Sequence, residues 1–288
     1  MEIVIMPKIG FCYGVERSIN LANEVLKNYP NKSLNLLGML VHNDIVNEEM
    51  IKKGFNIIDI NNLENVLKET NNAVFITTAH GISIVNEEKI KNYNFPLINT
   101  TCPIVLNNNK KIYQYFKEGY DIIYIGRHNH QESNVIKNYI HLIENEDDLN
   151  NLNIKNEKVV LTNQTTVSIT ELNFLTNLIK NKYKNIVIDT CICPATKERQ
   201  DKILELVKIH NQPNDKWIII GDTKSNNTKK LVEIIKIYTT NYYFINCLKD
   251  IDHLKLSNCD TIYVASGTST PNNFIYEVID EIKKRSEF

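Results

Sequence analysis

The sequence predicts an α/β protein made of three similar parallel-sheet α/β domains, and three observations carry that prediction. Short β-branched runs alternate with stretches whose apolar residues recur at three- and four-residue spacing, the pattern of strands feeding helices, which favours parallel sheets over a sandwich. Cys12, Cys102 and Cys193 stand at intervals of 90 and 91 residues, a period that signals an internal repeat. Each of the three follows a strand-like run and precedes a helix-like one, so one strand-to-helix turn is made three times.

Along the chain, Glu2 to Met6 reads as a strand leading toward Cys12, and Val15 to Leu26 has helical spacing. Leu34 to Leu37 is a second strand running into Val41-His42-Asn43, and Val74 to Thr77 a third before Ala79-His80-Gly81; Pro96 to Ile98 then leads to Cys102. The pattern repeats with a helix over Ile104 to Phe116, then strands over Ile122 to Gly126 before His130-Gln131-Glu132, Val159 to Leu161 before Gln164-Thr165-Thr166, and Ile186 to Ile188 before Cys193. A third round gives a helix over Ala195 to Ile209 and strands over Ile218 to Gly221 before Ser225-Asn226-Asn227 and over Ile262 to Ala265 before Ser266-Gly267-Thr268-Ser269. The third round lacks a closing strand, and Glu2 to Met6 is the spare one. Domains are therefore expected over 13–99, 100–190 and 191–288, the last completed by 1–12, around a threefold pseudo-axis.

Composition narrows the function. The 288 residues carry 33 Lys+Arg against 34 Asp+Glu, which excludes a polycationic nucleic-acid coat and an acidic tail. Apolar runs such as Trp217 to Ile220 fall far short of the about 20 residues of a membrane span, so neither nucleic acid nor membrane is an expected partner. The start of the chain lacks the pattern of a signal peptide, and six cysteines are too few for a disulfide scaffold. A soluble protein of a reducing compartment is expected: plastid (apicoplast) stroma if a transit peptide has been removed, bacterial cytoplasm otherwise. The sequence holds no C-x-x-C, H-E-x-x-H, G-x-G-x-x-G or Walker A motif.

In parallel α/β sheets, ligands bind beyond the carboxyl ends of the strands, where helix starts offer unpaired N–H groups. All the polar motifs above lie at that edge. A single cysteine is most often a small buried hydrophobe; three in register call for a shared ligand. Zinc is one candidate, although structural zinc sites favour close cysteine pairs, and an iron-sulfur cluster is the other, since it accepts thiolates from distant parts of a chain. Three thiolates on a four-iron cluster leave one iron open as a Lewis acid. His42, His80, Ser225, Asn227 and Ser269 suit an anion such as a diphosphate, although serine and asparagine at such places are first of all helix caps. Glu132 is the one carboxylate in the motifs; enclosed beside a polyanion it is expected to have a raised pKa and to serve as an acid.

Gly10-Phe11-Cys12-Tyr13-Gly14-Val15, Val41-His42-Asn43, Ala79-His80-Gly81, Thr101-Cys102-Pro103, His130-Gln131-Glu132, Gln164-Thr165-Thr166, Cys193-Pro194-Ala195-Thr196 with Arg199-Gln200, Ser225-Asn226-Asn227 and Gly267-Thr268-Ser269 together resemble the IspH/LytB family of 4-hydroxy-3-methylbut-2-enyl diphosphate reductases over the whole chain. The resemblance implies a trefoil around one four-iron four-sulfur cluster and the last step of the non-mevalonate isoprenoid pathway, which yields isopentenyl and dimethylallyl diphosphates. It assigns Cys12, Cys102 and Cys193 to the cluster, with the substrate hydroxyl on the open iron. It gives His42, His80, Ser225, Asn226, Asn227 and Ser269 to the diphosphate, with His130 nearby. Glu132 becomes the proton donor, and Thr165 orients the hydroxyl and relays protons. It also implies a ferredoxin or flavodoxin, with its reductase, as electron donor. Cys191 stands where the family commonly has a non-cysteine residue, and Asn226 where many members have serine. Cys247 and Cys259 fall outside the repeat and are expected to be structural. The rival classes are a non-catalytic iron-sulfur electron carrier or sensor and a zinc-stabilised binding protein.

Overall fold

Strand and helix alternate throughout the computed structural model, which describes residues 1–154, 156–258 and 260–286; Cys259 lies outside them. The chain begins β1 (Glu2–Ile5), α1 (Tyr13–Asn28), β2 (Ser33–Leu36), α2 (Asp44–Lys52), β3 (Phe55–Ile57), α3 (Leu63–Glu69), β4 (Ala73–Ile76), α4 (Ile84–Asn92) and β5 (Leu97–Ile98). It continues with α5 (Pro103–Lys117), β6 (Asp121–Ile125), α6 (Gln131–Ile136), β7 (His141–Ile143), α7 (Glu146–Asn151), β8 (Val159–Asn163), α8 (Ile169–Lys182) and β9 (Ile186–Ile188). The last stretch is α9 (Pro194–Val207), β10 (Asp215–Ile220), α10 (Asn226–Tyr238), β11 (Tyr242–Ile245), β12 (Thr261–Ser266) and α11 (Asn272–Ser286).

The strands form three four-stranded sheets, all parallel, in the orders β1-β12-β10-β11, β3-β2-β4-β5 and β7-β6-β8-β9. The amino-terminal strand pairs with β12, Glu2 opposite Thr261 and Ile5 opposite Val264. By compactness the chain divides into one unit of Met1–Tyr13, His42–Val46 and the part from Pro194 on, and another of Gly14–Val41 and Asn47–Cys193.

In the first unit, β10 is apolar on both sides because both sides are covered. Trp217 and Ile219 pack with Ile203, Val207, Leu231 and Ile235 of α9 and α10, while Ile218 and Ile220 pack with Phe274, Ile275, Val278 and Ile282 of α11. Alternation along a strand sends neighbours to opposite faces, so a doubly covered strand reads as an unbroken apolar run.

The second unit holds the other two sheets. Ile123, Ile125 and Leu161 face Leu172, Leu175 and Ile179 of α8, whereas Ile122, Tyr124 and Val160 face Ile112 of α5 and Val135 and Ile136 of α6. Ala73 and Phe75 of β4 pack with Leu63 and Leu67 of α3 and Ile90 of α4. Helix α1 buries Val15, Ser18, Ala22 and Val25, one face at helical spacing. Among the described residues, no helix is long and apolar enough to cross a membrane.

Candidate active site

Each of the three cysteines immediately precedes a helix: Cys12 before α1, Cys102 as the N-cap of α5, and Cys193 before α9. Pro103 and Pro194 occupy the first helical position, where a missing N–H costs nothing and a fixed φ favours the turn. The cysteine N–H groups are all taken by main-chain carbonyls: Cys12 donates to Thr268 at 3.0 Å, Cys102 to Ala79 at 3.0 Å and Cys193 to Thr165 at 2.9 Å. All three thiols are half-buried.

Gly14 makes room for one of these thiols. A Cβ at that position would lie 2.5 Å from Cys102 Sγ and 3.2 Å from its Cβ, so no larger residue fits without moving the cysteine. Gly14→Ala is expected to cost about 1–3 kcal/mol of stability, as overpacking of a tight contact does. Denaturant midpoints of the metal-free protein check this; a midpoint equal to the native one would show that Cys102 yields freely.

In the second unit, His80, His130, Glu132 and Thr165 come together although they derive from three separate motifs. His130 is the N-cap of α6, its Nδ1 accepting the Glu132 N–H at 3.2 Å, which leaves Nε2 as the donating nitrogen. Glu132 is 2% exposed. Its carboxylate accepts twice from one residue, the Thr165 hydroxyl on Oε1 and the Thr165 N–H on Oε2, both at 3.0 Å. His80 Nδ1 stands 3.8 Å from Oε1, and the His80 and His130 rings meet edge to face with centroids 5.4 Å apart. Since the Thr165 carbonyl accepts the Cys193 N–H, a continuous hydrogen-bonded run links Glu132 through Thr165 to the Cys193 backbone.

The upward shift expected of Glu132 concerns a site that holds a polyanion; in the ligand-free chain its neighbours push the other way. Burial alone pushes its pKa up, but the hydrogen bond to the His80 imidazole, the electrostatic effect of the His130 ring and the Thr165 N–H outweigh it, and the carboxyl is held below its ordinary value. In the ligand-free protein Glu132 is a carboxylate at neutral pH.

In the first unit, Asn43 caps α2 by accepting the Val46 N–H at 3.3 Å, and the preceding His42 carbonyl accepts from Ser269 Oγ at 3.0 Å. Ser225 caps α10 by accepting the Thr228 N–H at 3.2 Å and retains its own O–H for donation. Asn226 and Asn227 form the first turn of that helix, both buried. The Asn227 side chain is 2% exposed, and neither its Oδ1 nor its Nδ2 has a hydrogen-bond partner among the described residues. Leaving a buried amide unpaired costs about 1–3 kcal/mol. Cys247 is exposed and opens the 3-10 turn Leu248–His253.

The sequence reading passed over Ser18, Thr77 and Asn163, three buried polar residues near the cysteine turns. Ser18 carried a usable signal, a hydroxyl on the otherwise apolar face of α1; Thr77 carried none, ending a run that reads simply as a strand, and Asn163 lies two residues beyond the run Val159 to Leu161.

Comparison with known proteins gives matches over nearly the whole chain. Residues 3–283 match the LytB protein family. The 4-hydroxy-3-methylbut-2-enyl diphosphate reductase of Bacillus subtilis (strain 168) is 33% identical over 285 residues, 97% of this chain and 90% of that relative. The reductase of the same name from Geobacillus thermodenitrificans (strain NG80-2) is 33% identical over 290 residues, 99% of this chain and 90% of that one. Among solved structures, the E-1-hydroxy-2-methyl-but-2-enyl-4-diphosphate reductase from Plasmodium falciparum aligns with a TM-score of 0.87 at 30% identity, covering 98% of this chain and 88% of that one. A second, described as (E)-4-hydroxy-3-methyl-but-2-enyl diphosphate reductase, the terminal enzyme of the non-mevalonate pathway, aligns with a TM-score of 0.67 at 26% identity over 98% of this chain and 99% of that one. The chain belongs to the LytB protein family, the family of the diphosphate reductases among its relatives.

Proposed function

We propose that the chain is an oxidoreductase that converts 4-hydroxy-3-methylbut-2-enyl diphosphate to isopentenyl and dimethylallyl diphosphates, the last step of the non-mevalonate isoprenoid pathway. It holds one four-iron four-sulfur cluster on Cys12, Cys102 and Cys193, with one iron left open. The donor set fits that group: three half-buried thiols at helix starts, one of them packed against a glycine, Gly14, where a Cβ would lie 2.5 Å from its sulfur. When bound, the cluster supplies electrons and a Lewis-acidic iron for the departing oxygen. In the net reaction the allylic C–O bond breaks, a C–H bond forms, two electrons and two protons are consumed, and water leaves.

The observation that carries this reading is the run from Glu132 through Thr165 to Cys193. It sets a buried carboxyl and a hydroxyl one residue away from a cluster cysteine, where a proton can be handed to the leaving oxygen. Thr165 orients that oxygen and relays the proton, with His130 nearby. The diphosphate is taken by His42, His80, Ser225, Asn226, Asn227 and Ser269, which fix the orientation of the reacting end. A ferredoxin or flavodoxin, with its reductase, supplies the electrons. With domains over 13–99, 100–190 and 191–288, the last with 1–12, Cys102 would come from the second domain and Cys12 and Cys193 from the third, Cys12 at its junction with the first.

Anaerobic purification with iron and sulfide analysis tests the cofactor, and incubation of the loaded protein with substrate and a reduced viologen tests the reaction. About four irons and four sulfides per chain with both diphosphate products are expected. Zinc in place of iron, or a full cluster without product formation, would overturn the proposal.

Asn227→Leu tests the anion site. The near-isosteric change removes an unpartnered buried amide, so the ligand-free protein is expected to gain about 1 kcal/mol of stability. The KM for substrate should rise by about 10-fold or more, since a hydrogen bond to a charged group is worth about 1.5–3 kcal/mol. An unchanged KM removes Asn227 from the diphosphate site.

A further inference from the structure

The three cysteine turns are held by one repeated side-chain device. The residue two positions before the cysteine is Gly10, Thr100 or Cys191, and in all three both the backbone N–H and the backbone C=O are bound by side chains. The Gly10 N–H donates to Ser266 Oγ at 2.8 Å, the Thr100 N–H to Thr77 Oγ1 at 2.9 Å, and the Cys191 N–H to Asn163 Oδ1 at 2.8 Å. The matching carbonyls accept from Arg199 Nη2 at 2.6 Å, Ser18 Oγ at 2.5 Å and Asn163 Nδ2 at 3.1 Å.

The anchors occupy equivalent places in the sheets. Ser266 and Asn163 are the last residues of β12 and β8, and Thr77 directly follows β4. These strands neighbour β1, β9 and β5, the strands that lead toward the three cysteines. Two positions beyond each anchor lies the residue whose carbonyl accepts the cysteine N–H: Thr268, Thr165 or Ala79. The device thus prolongs a parallel ladder past its last backbone pair, with a side chain standing in for the missing strand. Its chemistry differs each time, a serine, a threonine and an asparagine, while its register is the same. All three anchors are buried.

We propose that Thr77, Asn163 and Ser266 are positioning residues that set the height and tilt of Cys102, Cys193 and Cys12 for a rigid shared cluster. The inference rests on the iron-sulfur reading above. Ligands to one cluster must meet it within a few tenths of an ångström, and residues that orient ligands govern how firmly a metal is kept. The register also separates the two neighbouring thiols: Cys191 occupies the clamped position of Gly10 and Thr100, and Cys193 the position of the other two cysteines.

The test measures iron release from the anaerobically loaded full-length protein to an excess of a ferrous chelator, together with the electron paramagnetic resonance spectrum of the dithionite-reduced cluster. Thr77→Val and Ser266→Ala, at two separate anchors, are each expected to release iron about 10-fold faster or more and to alter the spectrum. Thr77→Ser, which keeps the hydroxyl, is expected to restore the native rate and spectrum. Ser168→Ala serves as the control: it removes a buried-helix cap on the Glu171 N–H and touches no cysteine turn. It is expected to lower the unfolding midpoint of the metal-free protein without speeding iron release. Native release rates in both anchor variants, or equal acceleration by Ser168→Ala, overturn the proposal. If the unmodified chain carries no iron, the iron-sulfur reading itself fails, which is a different result.

Discussion

Cys12→Ser, Cys102→Ser and Cys193→Ser are each expected to lose most of the iron that the native chain carries when purified without oxygen, and Cys191→Ser to keep it. Three ligands are the minimum that this chain offers a four-iron cluster, so loss of one leaves two irons without protein thiolates. Serine is close to cysteine in size and the turns are pinned by main-chain bonds, so the fold should survive each change. Cys191 differs because both of its backbone polar groups are held by Asn163, the arrangement that Gly10 and Thr100 share, and neither of those offers a thiol. Iron and sulfide per chain, with visible absorption of the cluster, give the readout. Retention of iron by Cys193→Ser together with its loss in Cys191→Ser would transfer the third ligand to the neighbouring residue. Retention in all three single variants would remove the cluster from these cysteines altogether.

Much of the architecture was legible because the inner strands are covered on both faces. Ile218 to Ile220, Ile122 to Ile125 and Val74 to Ile76 read as unbroken apolar runs for that reason. The edge strands β3, β7 and β11 were not singled out: β3 and β7 have three residues each, with Asn56 and His141 interrupting or opening the apolar pattern, whereas β11, Tyr242–Ile245, is apolar throughout and was passed over. The site motifs were legible by residue type and period, yet their hydrogen bonding was not. That Thr165 would bind both carboxylate oxygens of Glu132 depends on the ends of β8 and the start of α6 meeting within 3.0 Å, which no local pattern encodes. The downward shift of Glu132 in the ligand-free chain was not legible for the same cause. Burial and partners push in opposite senses, and only distances decide which prevails.

Glu132→Gln is expected to lower kcat by about 10²- to 10⁴-fold, the usual worth of a positioned acid, while iron content and KM stay near native. The amide oxygen can still accept the Thr165 N–H, and the amide nitrogen can donate to the Thr165 hydroxyl once that group rotates, so the local geometry is kept. What is lost is the proton. In the ligand-free protein the carboxyl is held below its usual range, because the imidazoles and the Thr165 N–H outweigh burial. The depressed value also has a consequence for stability. A carboxyl with a lower pKa in the folded than in the unfolded state contributes stability that is fully present above the unfolded value, about 4.3 for glutamate, and is lost as pH falls through the folded value. The native protein should therefore lose stability more steeply than Glu132→Gln below about pH 4.3, as read from denaturant midpoints of the metal-free proteins. Parallel acid profiles would show that Glu132 is not held as a carboxylate, and near-native turnover in the variant would remove it from proton delivery.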